Sequence, residues 1–145
     1  MELGTLGAIL KFALELEEKA QEFYQEAARR VSQPRLRELF QEYARRGRKR
    51  RQLLERTQRE NTAEMILEPI TGFFSEDYEP DCTLPEGISS AEVLEKARAL
   101  EEKTARFYEV AAGKVGITEV TRAFRKLGRE NAERMSESAN QRMGE

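Results

Sequence analysis

The sequence predicts an all-α fold: a four-helix bundle made of two helical hairpins joined by one long crossover. Three observations predict it. First, the chain repeats itself at an offset of 84 positions. Leu16-Glu17-Glu18-Lys19 lands on Leu100-Glu101-Glu102-Lys103, and Phe23-Tyr24 lands on Phe107-Tyr108, giving nine identities in sixteen over residues 16–31. The register holds further on, where Phe40 meets Phe124, Arg45 meets Arg129 and Arg50 meets Arg134. Second, four segments carry apolar residues at spacings of three and four, the period of an amphipathic helix. Third, the helix breakers Pro69, Gly72, Pro80, Pro85 and Gly87 gather between the two copies.

Helix one is expected over about Thr5 to Arg30, with Ile9, Phe12, Leu16, Ala20, Phe23, Tyr24 and Ala27 on one face. Ser32 reads as the N-cap of helix two, with Pro34 in its first turn. Leu36, Leu39, Phe40, Tyr43, Leu53 and Leu54 carry that helix to near Asn61, and the short link makes the pair antiparallel. Residues 62–88 form the crossover. Met65, Ile66, Leu67, Ile70, Phe73, Phe74 and Tyr78 are too apolar for a disordered linker, so an ordered segment packed along the bundle is expected. A short helix near Ala63–Leu67 is expected within it, and a partner surface is the alternative use of its apolar residues.

Ser89 with Glu92 three residues on forms a capping-box pattern that opens helix three. Leu94, Ala97, Leu100, Ala105, Phe107, Tyr108 and Ala111 follow, and Gly113 and Gly116 mark its end. Thr118 reads as the cap of helix four, which carries Val120, Phe124, Leu127 and Met135 and frays toward Gly144. The organisation is one domain, residues 1–145: hairpin 5–61, crossover 62–88, hairpin 89–143.

Composition narrows the function classes. Charged residues make up 36 % of the 145 and apolar residues 39 %, which suits helices with charged outer faces. The net charge of −2 gives no bulk attraction to nucleic acid or membrane. No apolar run approaches the roughly 20 residues of a membrane span, and the first residues lack the basic start of a signal peptide. The chain has no His, so Ser-His and Cys-His nucleophiles and imidazole ligands are absent. Cys82 is the single cysteine. It forms no internal disulfide, its acidic neighbours disfavour a thiolate, and a reducing cytoplasm is the expected setting.

Two segments, Glu17–Tyr24 and Glu101–Tyr108, both read Glu-x-x-x-x-x-Phe-Tyr. In this, in the duplicated hairpin and in the long crossover, the chain resembles rubrerythrins and other ferritin-like proteins. The resemblance covers the four helices and implies a ferritin-like bundle in which Glu17 and Glu101 stand at iron-ligand positions. It also implies a Glu-x-x-His motif on helices two and four. Counting on from Phe40 and Phe124, the Glu positions hold Gly47 and Asn131, and the His positions hold Arg50 and Arg134. Glu130 is adjacent to an expected ligand, but one residue turns a side chain about 100° around the helix.

Three readings of Glu17, Glu101, Arg50 and Arg134 follow. They are ordinary charges on solvated faces, or part of a metal site with altered ligands, or core ion pairs whose Arg charges replace the metal. The third is preferred, pairing Arg50 with Glu17 and Arg134 with Glu101. Arg stays protonated and cannot coordinate a metal, and a buried carboxylate needs such a partner. Tyr24 and Tyr108 read as core aromatics whose hydroxyls find a partner, ahead of tuning a metal.

Arg45-Arg46-Gly47-Arg48-Lys49-Arg50-Arg51 is the sharpest charge run. A helix spreads such cations around its cylinder, and no aromatics interleave with them, so nucleic-acid binding is disfavoured. The expected function is a non-catalytic, metal-free, rubrerythrin-like protein with a structural or interaction role, without cofactor, forming a homodimer. Catalysis is left open, with the residues leaning against it. The alternative is an iron-binding protein or an oxidoreductase acting on peroxide or oxygen through Glu17, Glu101 and Glu130.

Overall fold

The computed structural model describes residues 1–61 and 69–140. Four helices order the chain: α1 (Leu6–Arg30), α2 (Pro34–Glu60), α3 (Ser90–Lys114) and α4 (Thr118–Ala139). α1 pairs with α2 and α3 with α4, and the hairpins meet through α1 with α3 and α2 with α4. This is the all-α, ferritin-like four-helix bundle that the sequence predicts.

Local side-chain chemistry explains the starts of α1 and α3. Thr5 Oγ1 accepts from the Ala8 N–H at 3.0 Å, satisfying one of the donors left free in a first turn. At α3 the Ser89–Glu92 pair forms the cap, with the Ser89 hydroxyl rather than its backbone N–H donating to Glu92. Ser89 Oγ accepts from Glu92 N at 3.1 Å and donates to Glu92 Oε1 at 2.9 Å.

Two expected caps are corrected. Gln33, not Ser32, is the N-cap of α2, with Pro34 filling the first position, where no N–H is missed. The Ser32 side chain turns to Gln33 and its N–H is taken by Ser90 Oγ, which ties the two hairpins together. Ile117, not Thr118, precedes α4. α3 also runs through Gly113 and ends on the extended residue Val115, so Gly113 does not stop it.

The core has two halves. One gathers Leu3, Ile9, Phe12, Leu16, Phe107 and Phe124, and the other Phe23, Tyr24, Leu36, Phe40, Val93 and Leu100. Each half draws on both hairpins, so neither hairpin encloses its own apolar face. Between the two halves lies a polar layer.

The described part of the crossover is packed, as its apolar residues require. Phe73 is buried, stacked on Phe107 at 5.5 Å, and Tyr78 meets Phe107 edge-on. Leu3 N donates to Phe73 O at 2.7 Å, and a single antiparallel bridge joins Glu2 to Phe74. Further along, Lys114 and Lys103 donate to the carbonyls of Thr71 and Glu79. The short helix expected near Ala63–Leu67 lies outside the described residues. Among those described, no helix is long and apolar enough to cross a membrane.

Candidate functional site

Each helix contributes one charged side chain to the polar layer: Glu17 from α1, Arg50 from α2, Glu101 from α3 and Arg134 from α4. All four are buried, at 2 %, 4 %, 1 % and 4 % exposure. They stand within two turns of apolar core residues, Leu16, Leu54, Leu100 and Leu127, so the same stripe that buries those apolar side chains carries the charges inward.

Arg50 is saturated. Its Nε and Nη2 donate to the two oxygens of Glu17, each at 2.8 Å, in a bidentate fork. Nη2 also donates to Asn131 Oδ1 at 2.8 Å, and Nη1 donates to Leu127 O and Glu130 Oε1 at 3.2 Å each. Glu17 completes its shell by accepting from Tyr108 Oη at 2.5 Å.

Burial would raise the Glu17 pKa. The Arg50 charge and hydrogen bonds, with the Tyr108 hydroxyl, overcome this and hold it below the ordinary value. The same pairing holds the Arg50 guanidinium charged against its own burial.

The second half is built differently. Glu101 accepts from Tyr24 Oη at 2.5 Å and from Asn131 Nδ2 at 2.7 Å. Arg134 stands farther off, with Nη1 3.7 Å from Glu101 Oε2, an ion pair beyond hydrogen-bond reach. Its guanidinium lies over the Tyr43 ring instead, 4.5 Å from the centroid. Each tyrosine therefore serves the glutamate of the opposite hairpin. Burial and then the adjacent glutamate charge push both phenols far up, which keeps them protonated donors.

Asn131 is the functional residue that the sequence reading missed. Its amide bridges Arg50 and Glu101 and so joins the two halves into one network. The signal was present: a polar residue on the buried stripe of α4, four from Leu127 and three from Arg134. Glu130 does not reach the core as a ligand would. Its side chain is 43 % exposed and meets Arg50 from the rim.

The cation run on α2 splits around the helix. Arg50 turns inward, while Arg45 and Arg46 pair with Glu42 on the surface. Gly47 is buried against α1, where an added Cβ would stand 3.3 Å from Gln21 Cβ. Cys82 is half-buried, and burial pushes its thiol up, which disfavours a thiolate.

The donors of this layer do not fit two iron ions. Both oxygens of Glu17 are held by Arg50, the Glu-x-x-His positions hold Gly, Asn and Arg, and guanidinium has no lone pair to give. Among the described residues, no group of three or more His, Cys, Asp or Glu stands close enough to hold a metal ion.

Comparison with known proteins agrees with this geometry at the level of fold and family. No curated protein matches the chain. Among solved structures, a dodecameric thioferritin, the bacterioferritin-related protein from Bacteroides fragilis, is similar, with a TM-score of 0.72 and 17 % identity. The match covers 91 % of this chain and 80 % of that one. The rubrerythrin family model matches residues 8–133. With most of its length matched in this way, the chain belongs to the rubrerythrin family.

Proposed function

We propose that this chain is a metal-free member of its family, a non-catalytic protein with a structural or interaction role, in which Glu-Arg pairs take the place of a di-iron centre. The observation that carries this reading is the five-bond shell of Arg50, which occupies both oxygens of Glu17. For Glu17 to ligate iron, it would have to give up bonds of the Arg50 fork. Of its carboxylate partners Arg50 would then keep only Glu130 at the rim, and breaking such a buried pair costs several kcal/mol, on the order of 3–5. The iron-binding or peroxide-reducing alternative through Glu17, Glu101 and Glu130 meets that cost before any metal is bound.

The reading extends to a homo-oligomer, in its simplest form a homodimer. What supports it is that a protein of the same fold is described as dodecameric. The crossover gives less support than its composition suggested, because Phe73 is spent on the chain's own core and Phe74, 42 % exposed, is the large apolar side chain left outside it among the described crossover residues. A cytoplasmic setting accords with a single cysteine in the sequence.

The deciding experiment is metal analysis of protein loaded anaerobically with ferrous iron and then desalted. Substoichiometric iron without peroxide turnover is expected. Close to two irons per chain with peroxide turnover would overturn the metal-free reading.

A further inference from the structure

The two halves of the buried network are unequally supplied with acceptors. Beyond Glu17, Arg50 uses three groups on α4: Leu127 O, Glu130 and Asn131. At the offset of 84, the positions that face Arg134 in the same way are Tyr43, Arg46 and Gly47 on α2. A cation stands where the repeat has a carboxylate, and a glycine where it has the bridging amide. Gln21 fills the space beside Gly47, whereas the residue at the offset of 84 from Gln21 is Ala105.

Arg134 shows the consequence. It is buried, yet its guanidinium makes no hydrogen bond with any described residue. Its contacts are the 3.7 Å ion pair to Glu101, the face of Tyr43 and, farther off, the ring of Tyr24. A ring beneath the plane leaves the in-plane N–H fork undirected. Tyr43 Oη is also buried, beside the Glu137 carboxylate.

Arg134 lines a cleft between α2 and α4 of about 640 Å³. Lys49 and Lys126 stand on its walls, both exposed and neither in an ion pair with a described residue. Glu42 in the same walls is neutralised by Arg45 and Arg46, whereas Glu130 shares the charge of Arg50 with Glu17. Glu130, Glu133 and Glu137 are the wall carboxylates that oppose an anion.

We propose that the α2–α4 cleft binds a phosphoryl group, free or on a small monoester, with the Arg134 fork as bidentate donor and Lys49 and Lys126 at the mouth. A planar guanidinium fork matches phosphate geometry, and Lys49 and Lys126 add positive charge at the mouth against the wall carboxylates. The cleft is far larger than one phosphate, which leaves room for the organic part of a monoester. The oxyanion supplies on the α2 side the acceptors that Glu130 and Asn131 supply on the α4 side. The site builds on the metal-free reading because it needs Arg134 free of metal ligands around it.

The test is calorimetric titration of the full chain in low-chloride buffer, in separate arms, with inorganic phosphate and with glycerol 3-phosphate. Saturable binding of one ligand per chain is expected in at least one arm. The tighter arm identifies the source of the phosphoryl group. Arg134→Met should weaken binding at least tenfold. A triple variant, Gln21→Ala with Arg46→Glu and Gly47→Asn, copies the second half into the first and gives Arg134 internal acceptors. It should also lose at least tenfold in affinity while its Tm does not fall, and it serves as the readout if Arg134→Met does not fold. Absence of saturable binding in both arms, or affinity unchanged in the folded variants, overturns the site. Iron uptake is a separate measurement, so failure here leaves the metal-free reading standing on its own test.

Discussion

Arg50 donates all five of its N–H bonds while almost wholly buried, and that makes its removal informative. Arg50→Ala strands the Glu17 carboxylate with burial uncompensated, so a loss of about 3–5 kcal/mol is expected by thermal or denaturant unfolding. A variant that melts like the parent would show the pair to be unimportant. The pH dependence follows from the same group. The folded-state pKa of Glu17 is depressed below the ordinary 4.5. Its contribution to stability is therefore fully present above about pH 4.5 and is lost as pH falls through the lower folded value. Acid unfolding should begin below pH 4.5, and in Arg50→Ala the midpoint should move to higher pH, because burial is then opposed only by the Tyr108 hydroxyl and the more distant Arg134 charge. An acid midpoint unmoved by that substitution would contradict the pairing. At this scale the sequence displayed the charged partners, since Glu17 and Arg50 recur with their equivalents at one offset. It did not display the Asn131 bridge, because an Asn at a position once expected to hold Glu says nothing about which of two neighbours its amide faces.

The helices were legible because their signals are local. Thr5 and the Ser89–Glu92 box cap the helices that their chemistry predicts, since a cap is decided within four residues. Ser32 was misread because its N–H is claimed by Ser90, 58 positions away, a competition that local pattern does not contain. The crossover shows the same division. Its apolar content required burial, but only the folded chain sets Phe73 on Phe107 and clasps residues 1–3 beside it. Phe73→Ala should therefore cost about 3–5 kcal/mol, the range for emptying a buried aromatic site. A loss well below 1 kcal/mol in chemical denaturation would mean that the clasp is not part of the cooperative fold.

At the scale of the whole molecule, each half of the core is shared between hairpins, and the bundle should behave as one unit. The homo-oligomer proposed for it is checked by sedimentation equilibrium of the full chain. A mass of at least twice 16.8 kDa is expected, and a monomer across the concentration range would remove that part of the proposal. The sequence by itself determined the bundle, its two-hairpin order and the recurrence of Glu and Arg. Repetition and periodicity are properties of the chain alone, and burying four amphipathic faces leaves few other solutions. Only the tertiary structure decided that the halves are unequal. Arg50 finds a carboxylate and an amide across the bundle, while Arg134 finds an aromatic ring and a carboxylate beyond hydrogen-bond reach. Those neighbours come from helices distant in sequence, and hydrogen-bond geometry, unlike polarity, is fixed only when the helices are set side by side.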